Sequence, residues 1–263
     1  MAVYKFMTYN LRTDCESDGI NSFTNRRPYI AEKLDFYSPD IIGFQEIRPH
    51  MYEWLIENLK DYYVVGGGRG RQRDDEAVCI AFKKDKFFLC DLQTFWLSAT
   101  PDVPGSRYSG DQSGCPRICT WVTLKPRDGA PFRFYNLHTD HIGKYARALA
   151  CNQVLQKVSE NNQRSFMKTF ITGDFNASPD EVSVQSMLEY AGTPLVDLTA
   201  DSGITFHNFG RGLKPDADKT YAIKMDYIFA DADTKCNSLT VCRDERDGMY
   251  MSDHYPLMVE VEL

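Results

Sequence analysis

Asp174 and Asn176 stand two residues apart in Lys168–Pro179, K-T-F-I-T-G-D-F-N-A-S-P, just after the apolar pair Phe170–Ile171. Along an extended backbone, a spacing of two puts both side chains on one side. A carboxylate beside a carboxamide, where a strand opens into a loop, can hold a hard cation or an activated water. The same pattern also suits a turn closed by Asx hydrogen bonds. Other polar groups recur in the same kind of place, where an apolar run starts or stops. They are Asn10 in T-Y-N-L-R, Glu46 in Q-E, His138 in N-L-H, Asp226 in M-D-Y-I-F, and Asp253 and His254 in S-D-H-Y-P. Singly, each is ordinary: Asn forms turns and Glu lies at surfaces. Eight together, all carboxylate, carboxamide or imidazole, are hard to explain as solvated surface. Such a set suits Mg²⁺, Mn²⁺ or Ca²⁺ rather than zinc, which would need clustered His or Cys.

These groups need strands to carry them. Apolar, β-branched runs predict strands over 3–11, 40–46, 62–65, 77–82, 87–97, 116–124, 132–137, 168–173, 225–230, 238–242 and 257–261. The 116–124 and 132–137 runs read as a hairpin. Helical spacing predicts helices over 25–37, with Pro28 near its start, and over 51–59, 143–158 and 180–190. The 66–76 stretch, G-G-G-R-G-R-Q-R-D-D-E, reads as a flexible basic loop. It lacks the G-K-[ST] of a nucleotide P-loop. The 98–114 and 204–219 stretches read as long polar loops, and long loops are often functional. With no repeat and no linker, residues 1–263 read as a single α/β domain, two sheets face to face with helices outside.

Composition narrows the partners. A net charge of −7 argues against broad binding to duplex nucleic acid. No run reaches about 18 apolar residues, so no membrane span is expected. The start, V-Y-K-F-M-T-Y-N, looks like a strand and not a signal peptide, so a cytoplasmic location is expected. The eight cysteines are scattered without a C-x-x-C pair. Cys79, Cys90 and Cys119 fall in apolar strands and read as buried free thiols.

The ordered motifs T-Y-N-L-R, Q-E, N-L-H, G-D-F-N-A-S-P, M-D-Y-I-F and S-D-H-Y-P cover nearly the whole chain. In this it resembles the endonuclease/exonuclease/phosphatase superfamily, which includes deoxyribonucleases, abasic-site endonucleases, sphingomyelinases, inositol-phosphate phosphatases and deadenylases. F-W-L-S at 95–98, C-P-R-I-C-T-W at 115–121 and H-T-D-H-I-G at 138–143 are similar to a bacterial-type subgroup. The resemblance implies a four-layer α/β sandwich of two mixed sheets. It implies a metal-dependent phosphoester hydrolase, using Mg²⁺ or Mn²⁺, in which an activated water attacks in line.

The resemblance also implies roles. Glu46 is the principal metal ligand, with Asn10 and Asp253 contributing. Asp174 deprotonates the attacking water, and Asn176 bonds that water or a phosphate oxygen. His254, oriented by Asp226, contacts the scissile phosphate. His138 is a second phosphate contact or general acid, with Glu76 as its carboxylate partner. Asp74-Asp75 running straight into Glu76 departs from the subgroup pattern, which bears on that last pairing. Arg117, whose guanidinium suits phosphate, reads equally as substrate-binding or as a structural salt bridge. Arg69, Arg71 and Arg73 read as solvated, His141, Asp140 and His207 as minor, and Trp96 and Trp121 as core. The expected substrate is a phosphorylated small molecule or a single-stranded nucleic acid, and a monomer is expected. The competing reading is an inactive relative that binds phosphate ligands or serves as a scaffold.

Overall fold

The computed structural model describes residues 2–192, 194–214, 216 and 222–263, so the end of the predicted 204–219 loop lies outside the described residues. The first half runs β1 (Val3–Asn10), α1 (Phe23–Tyr37), β2 (Ile41–Ile47), α2 (Pro49–Asn58), β3 (Tyr62–Gly68) and β4 (Ala77–Lys83). The second runs β5 (Phe87–Trp96), β6 (Ile118–Pro126), β7 (Phe132–His138), α3 (Lys144–Arg164), β8 (Lys168–Asp174), α4 (Val182–Leu188), β9 (Leu195–Asp197) and β10 (Asp226–Asp231). β11 (Cys236–Val241), the short strands β12 (Glu245–Arg246) and β13 (Met249–Tyr250), and β14 (Leu257–Glu262) complete the chain.

Two six-stranded mixed sheets result, in the orders β11-β14-β1-β2-β4-β3 and β5-β6-β7-β8-β10-β9. Each contains one parallel pair, β1 with β2 and β7 with β8. A parallel pair needs a long crossover, and α1 and α3 provide it. Phe6, Ile41, Phe82, Phe134, Phe170, Ile228 and Val259 pack between the sheets. The α1 and α2 residues Ile30, Leu34 and Leu55 cover the outer face of the first sheet. The α3 and α4 residues Val154, Val158 and Met187 cover that of the second. This is the expected four-layer sandwich.

The arrangement brings four strand ends to one edge. Parallel pairing aligns Asn10 with Gln45, one residue before Glu46, and His138 with Asp174. β10 runs antiparallel and sets Asp226 opposite Asp174. β14 enters antiparallel to β1, with Leu257 beside Thr8, so Asp253 and His254 precede it at the same edge. Below this edge lies a buried polar layer. Asn136 Nδ2 donates to Phe44 O (2.9 Å) and Cys79 O (2.8 Å), and Gln45 Nε2 donates to Asn136 Oδ1 (2.7 Å). Gly43 makes this layer possible, because a Cβ there would lie 2.5 Å from Thr172 Oγ1.

Several expectations need correction. α1 begins at Phe23, so Pro28 lies in its second turn, where it lacks the N–H that Thr24 O would accept. Arg27 Nε donates to that carbonyl instead, at 3.4 Å. α3 runs on to Arg164, and α4 is shorter than 180–190. Cys90 is exposed, because β5 is an edge strand whose middle is uncovered, whereas Cys79 and Cys119 are buried free thiols as expected. Trp96 and Trp121 are both buried. Among the described residues no helix is long and apolar enough to cross a membrane.

Candidate active site

Asp174 ends β8, directly after Gly173, whose φ is +154° and whose Cβ, if it had one, would sit 2.1 Å from Leu137 O. Glycine lets the two parallel strands approach and still aims Asp174 at the edge. Asp174 Oδ1 accepts the Asn176 N–H at 2.8 Å, and Oδ2 accepts Asn10 Nδ2 at 2.9 Å. The same Oδ2 lies 3.5 Å from His138 Nε2 and 3.8 Å from His254 Nε2. Burial, with the Asp226 charge adding, pushes the Asp174 pKa up to about 7, while His254 and these hydrogen bonds oppose the rise.

Glu46 sits at a β-bulge, where the register of β2 against β4 shifts between Phe44 and Ile47. Its φ is 65°, in the left-handed region, and Asn176 has φ 46°. Such backbone positions concentrate at functional sites, and a bulge re-aims a side chain. Glu46 accepts Asn10 Nδ2 (3.1 Å) and the Thr13 N–H (2.8 Å). Burial opposes its charge. The Thr13 amide, Arg12, Asn10 and His254 outweigh burial and hold its pKa below the ordinary carboxylate value. Asp253 stands nearby with Arg12 Nε at 3.6 Å. Burial and the Glu46 charge push its pKa up, against His254 and Arg12.

The two histidines differ. His254 Nδ1 lies 2.8 Å from Asp226 Oδ2. Burial disfavours the imidazolium, but Asp226, Asp174 and Asp253 outweigh it and hold the pKa well above the ordinary value. His138 Nε2 lies 3.0 Å from Asn176 Nδ2. Burial, Arg117 and Arg69 push its pKa well down, so the ring is neutral.

Glu76 reaches the same cleft as His138 but pairs with Arg69. Its Oε2 lies 2.8 Å from Arg69 Nη1, and no ion pair joins it to His138 among the described residues. The reason is the 68–76 turn. Arg69 N bonds Glu76 O (3.0 Å), and Gly70 N bonds Asp74 O (2.9 Å). Backbone hydrogen bonds close that turn, and Arg69 is buried and not solvated. Trp96 Nε1 donates to Arg69 O at 2.7 Å and anchors the turn. Asn10 likewise presents its amide nitrogen to Glu46 and Asp174, while Arg12 N donates to its Oδ1 at 2.9 Å. Asp140 is a buried organiser, accepting Ser113 N (3.0 Å) and Gly143 N (2.8 Å), with its pKa lowered to about 2 by these bonds against burial. His207 is fully buried beneath Tyr255.

Glu46, His138, Asp174, Asn176, Asp253 and His254 thus line one cleft of about 360 Å³. Asp226 stands behind His254. The predicted Glu76 and Arg117 line it too, as do Arg12, Arg69, Phe206 and Met225, which only tertiary contacts bring there. Ligand atoms of Glu46, His138 and Asp174 lie within 4.8 Å of one another, as do those of Asp174, Asp226 and His254. The first group, two carboxylates with a neutral imidazole and no thiolate, fits a hard divalent cation, whereas protonated His254 in the second has no lone pair to give.

The sequence pattern of the endonuclease/exonuclease/phosphatase family matches residues 7–254. A protein of that family from Bacteroides vulgatus is 26% identical over the whole of both chains, with a TM-score of 0.90. The mannosyl-6-phosphatase of Bacteroides thetaiotaomicron is 31% identical over 99% of this chain and 100% of that one, with a TM-score of 0.87. An uncharacterized protein of Acanthamoeba polyphaga mimivirus is 26% identical over 163 residues, and the match spans 60% of each protein. The chain belongs to the endonuclease/exonuclease/phosphatase family, whose members hydrolyse phosphoesters and include phosphatases and nucleases.

Proposed function

We propose that this protein is a metal-dependent phosphoester hydrolase acting on small phosphorylated molecules, sugar phosphates above all. The observation that carries this reading is the position of Asp174 Oδ2, held by Asn10 at 2.9 Å and facing His138 at 3.5 Å and His254 at 3.8 Å. A carboxylate whose pKa stands near neutrality suits a general base.

Asp174 takes a proton from the attacking water, and Asn176 orients that water or a phosphoryl oxygen. His254, kept protonated by Asp226, donates from Nε2 to a phosphoryl oxygen as negative charge builds there. Neutral His138 offers a second polar contact. Glu46 and Asp253 would hold Mg²⁺ or Mn²⁺, with Asn10 fixing the Glu46 and Asp174 carboxylates rather than lending its own oxygen. When bound, the cation would supply charge stabilisation to the transition state and the leaving oxygen.

The structural likeness to a mannosyl-6-phosphatase supports a phosphorylated sugar as the substrate class. The net charge of −7 weighs against duplex DNA. Hydrolysis of p-nitrophenyl phosphate and bis-p-nitrophenyl phosphate is the test, with Mg²⁺, Mn²⁺ or EDTA, for wild type and Asp174→Asn. Metal-dependent turnover lost in the variant is expected. Turnover that survives both EDTA and Asp174→Asn would overturn the reading.

A further inference from the structure

One end of the cleft narrows, beside Glu46, Glu76 and His138, to a gap too tight for a water molecule. Val78 and Ile118 also line this gap. Two arginines line the cleft at this end, Arg69 from the 68–76 turn and Arg117 from just before β6, each less than a tenth exposed. Their hydrogen bonding is the unusual feature. Arg117 Nη2 meets His141 Nδ1 at 2.8 Å, but Nε and Nη1 have no hydrogen-bond partner. Asp140 does not supply one: its oxygen is 3.5 Å from Nε, and its carboxylate is already engaged by Ser113 N, Ser113 Oγ, Ile142 N and Gly143 N. Arg69 is held by Glu76 through Nη1 (2.8 Å) and by Asp75 through Nε (3.1 Å), and Nη2 takes part in neither contact.

A buried guanidinium with unpaired N–H groups carries a desolvation cost that an anionic ligand removes. Arg117 is ion-paired with Asp140, Nε to Oδ2 at 3.5 Å, but the pair leaves Nε and Nη1 without a hydrogen bond. We propose that Arg69 and Arg117 form a two-guanidinium clamp for the doubly charged phosphoryl group of a phosphomonoester, making the site selective against diesters. This rests on the phosphoester-hydrolase reading above. A monoester brings three non-bridging oxygens and two charges, which match two planar forks. A diester has one charge fewer and only two non-bridging oxygens to offer the same two forks. Glu76 and Asp75 act as positioning residues that aim Arg69, which accounts for a carboxylate at position 76 without a bond to His138.

Calorimetric binding of inorganic phosphate and of dimethyl phosphate to the full chain in Mg²⁺ tests the clamp independently of turnover. Wild type, Arg69→Gln and Arg117→Gln are compared, each with a thermal melt. Phosphate is expected to bind wild type at least about tenfold more tightly than dimethyl phosphate, and each variant to weaken phosphate about tenfold or more, as for a lost charged hydrogen bond. Dimethyl phosphate binding should stay within about twofold. Equal weakening of both anions, or phosphate binding unchanged in both variants, would overturn the clamp. If a glutamine variant fails to fold, Arg117→Lys and Arg69→Lys, which keep the charge but lose the fork, provide the same comparison. Failure of the hydrolase reading is separate and would show as p-nitrophenyl phosphate turnover that survives Asp174→Asn.

Discussion

His254 and Asp226 form a buried pair, Nδ1 to Oδ2 at 2.8 Å, and the far nitrogen of the same ring faces Asp174 at 3.8 Å. One imidazole thus sits between two carboxylates, one orienting the ring and favouring its charged form and one facing its far nitrogen. His254→Ala should lower turnover by at least about 100-fold. Asp226→Asn should keep the ring in place but lower its pKa, so activity should fall away at high pH where wild type persists. A pH–rate profile of the two variants checks this. A profile for Asp226→Asn that overlays wild type would remove Asp226 from the orienting role.

Asp174 must be ionised to accept a proton, and its pKa stands near 7 through burial. kcat/KM should therefore fall as pH drops below about 7 and level off above it. A bound cation favours the carboxylate, so raising Mg²⁺ should move the acidic limb to lower pH. Profiles at two Mg²⁺ concentrations read this directly, and an acidic limb that ignores Mg²⁺ would separate Asp174 from the metal.

Glu46 is charged, bulge-borne and fixed by Asn10 and the Thr13 amide. Glu46→Gln should raise the Mg²⁺ concentration needed for half-maximal activity at least about tenfold, as expected when a hard cation loses its main carboxylate. EDTA should abolish wild-type turnover. A Mg²⁺ titration identical to wild type would place the ion elsewhere.

His207 is fully buried, stacked 3.8 Å from Tyr255, and its Nδ1 accepts the Gly210 N–H. Burial, with His254 adding, lowers its pKa to about 3. An unfolded histidine titrates near 6.5, so the unfolded chain takes up the proton first. The folded-state advantage is present above 6.5 and is lost as pH falls towards 3. At pH 4.5 this costs wild type about 2–3 kcal/mol relative to pH 7. Urea unfolding of His207→Gln at the two pH values should show a loss smaller by about that amount. An equal loss would assign the acid sensitivity to other groups.

Gly173→Ala should lower Tm by about 6 °C or more, because a Cβ 2.1 Å from Leu137 O forces the β7–β8 pair apart. Turnover should fall even in the folded fraction, since Asp174 follows directly. Wild-type Tm and activity in this variant would show that the strands can give way without cost.

Much was already present in the order of residue types. Apolar, β-branched runs bury themselves wherever they are, so the strands and their polar ends could be read locally, and Asn10, Glu46, His138, Asp174, Asn176, Asp226, Asp253 and His254 came out of the sequence as a set. The four-layer sandwich came with the resemblance that those motifs carry. What each side chain does next was decided by tertiary contacts. Glu76 turned to Arg69 because a backbone-bonded turn brings residues 69 and 76 together. Arg69 looked like solvated loop charge, and its contacts with Trp96, Glu76 and Asp75 made it a buried cation. His138 and His254 are the same residue type at the same edge, and only their neighbours separate them. Burial and the arginines discharge the first, and carboxylates protonate the second against burial, because a pKa depends on distances and burial that no linear spacing records.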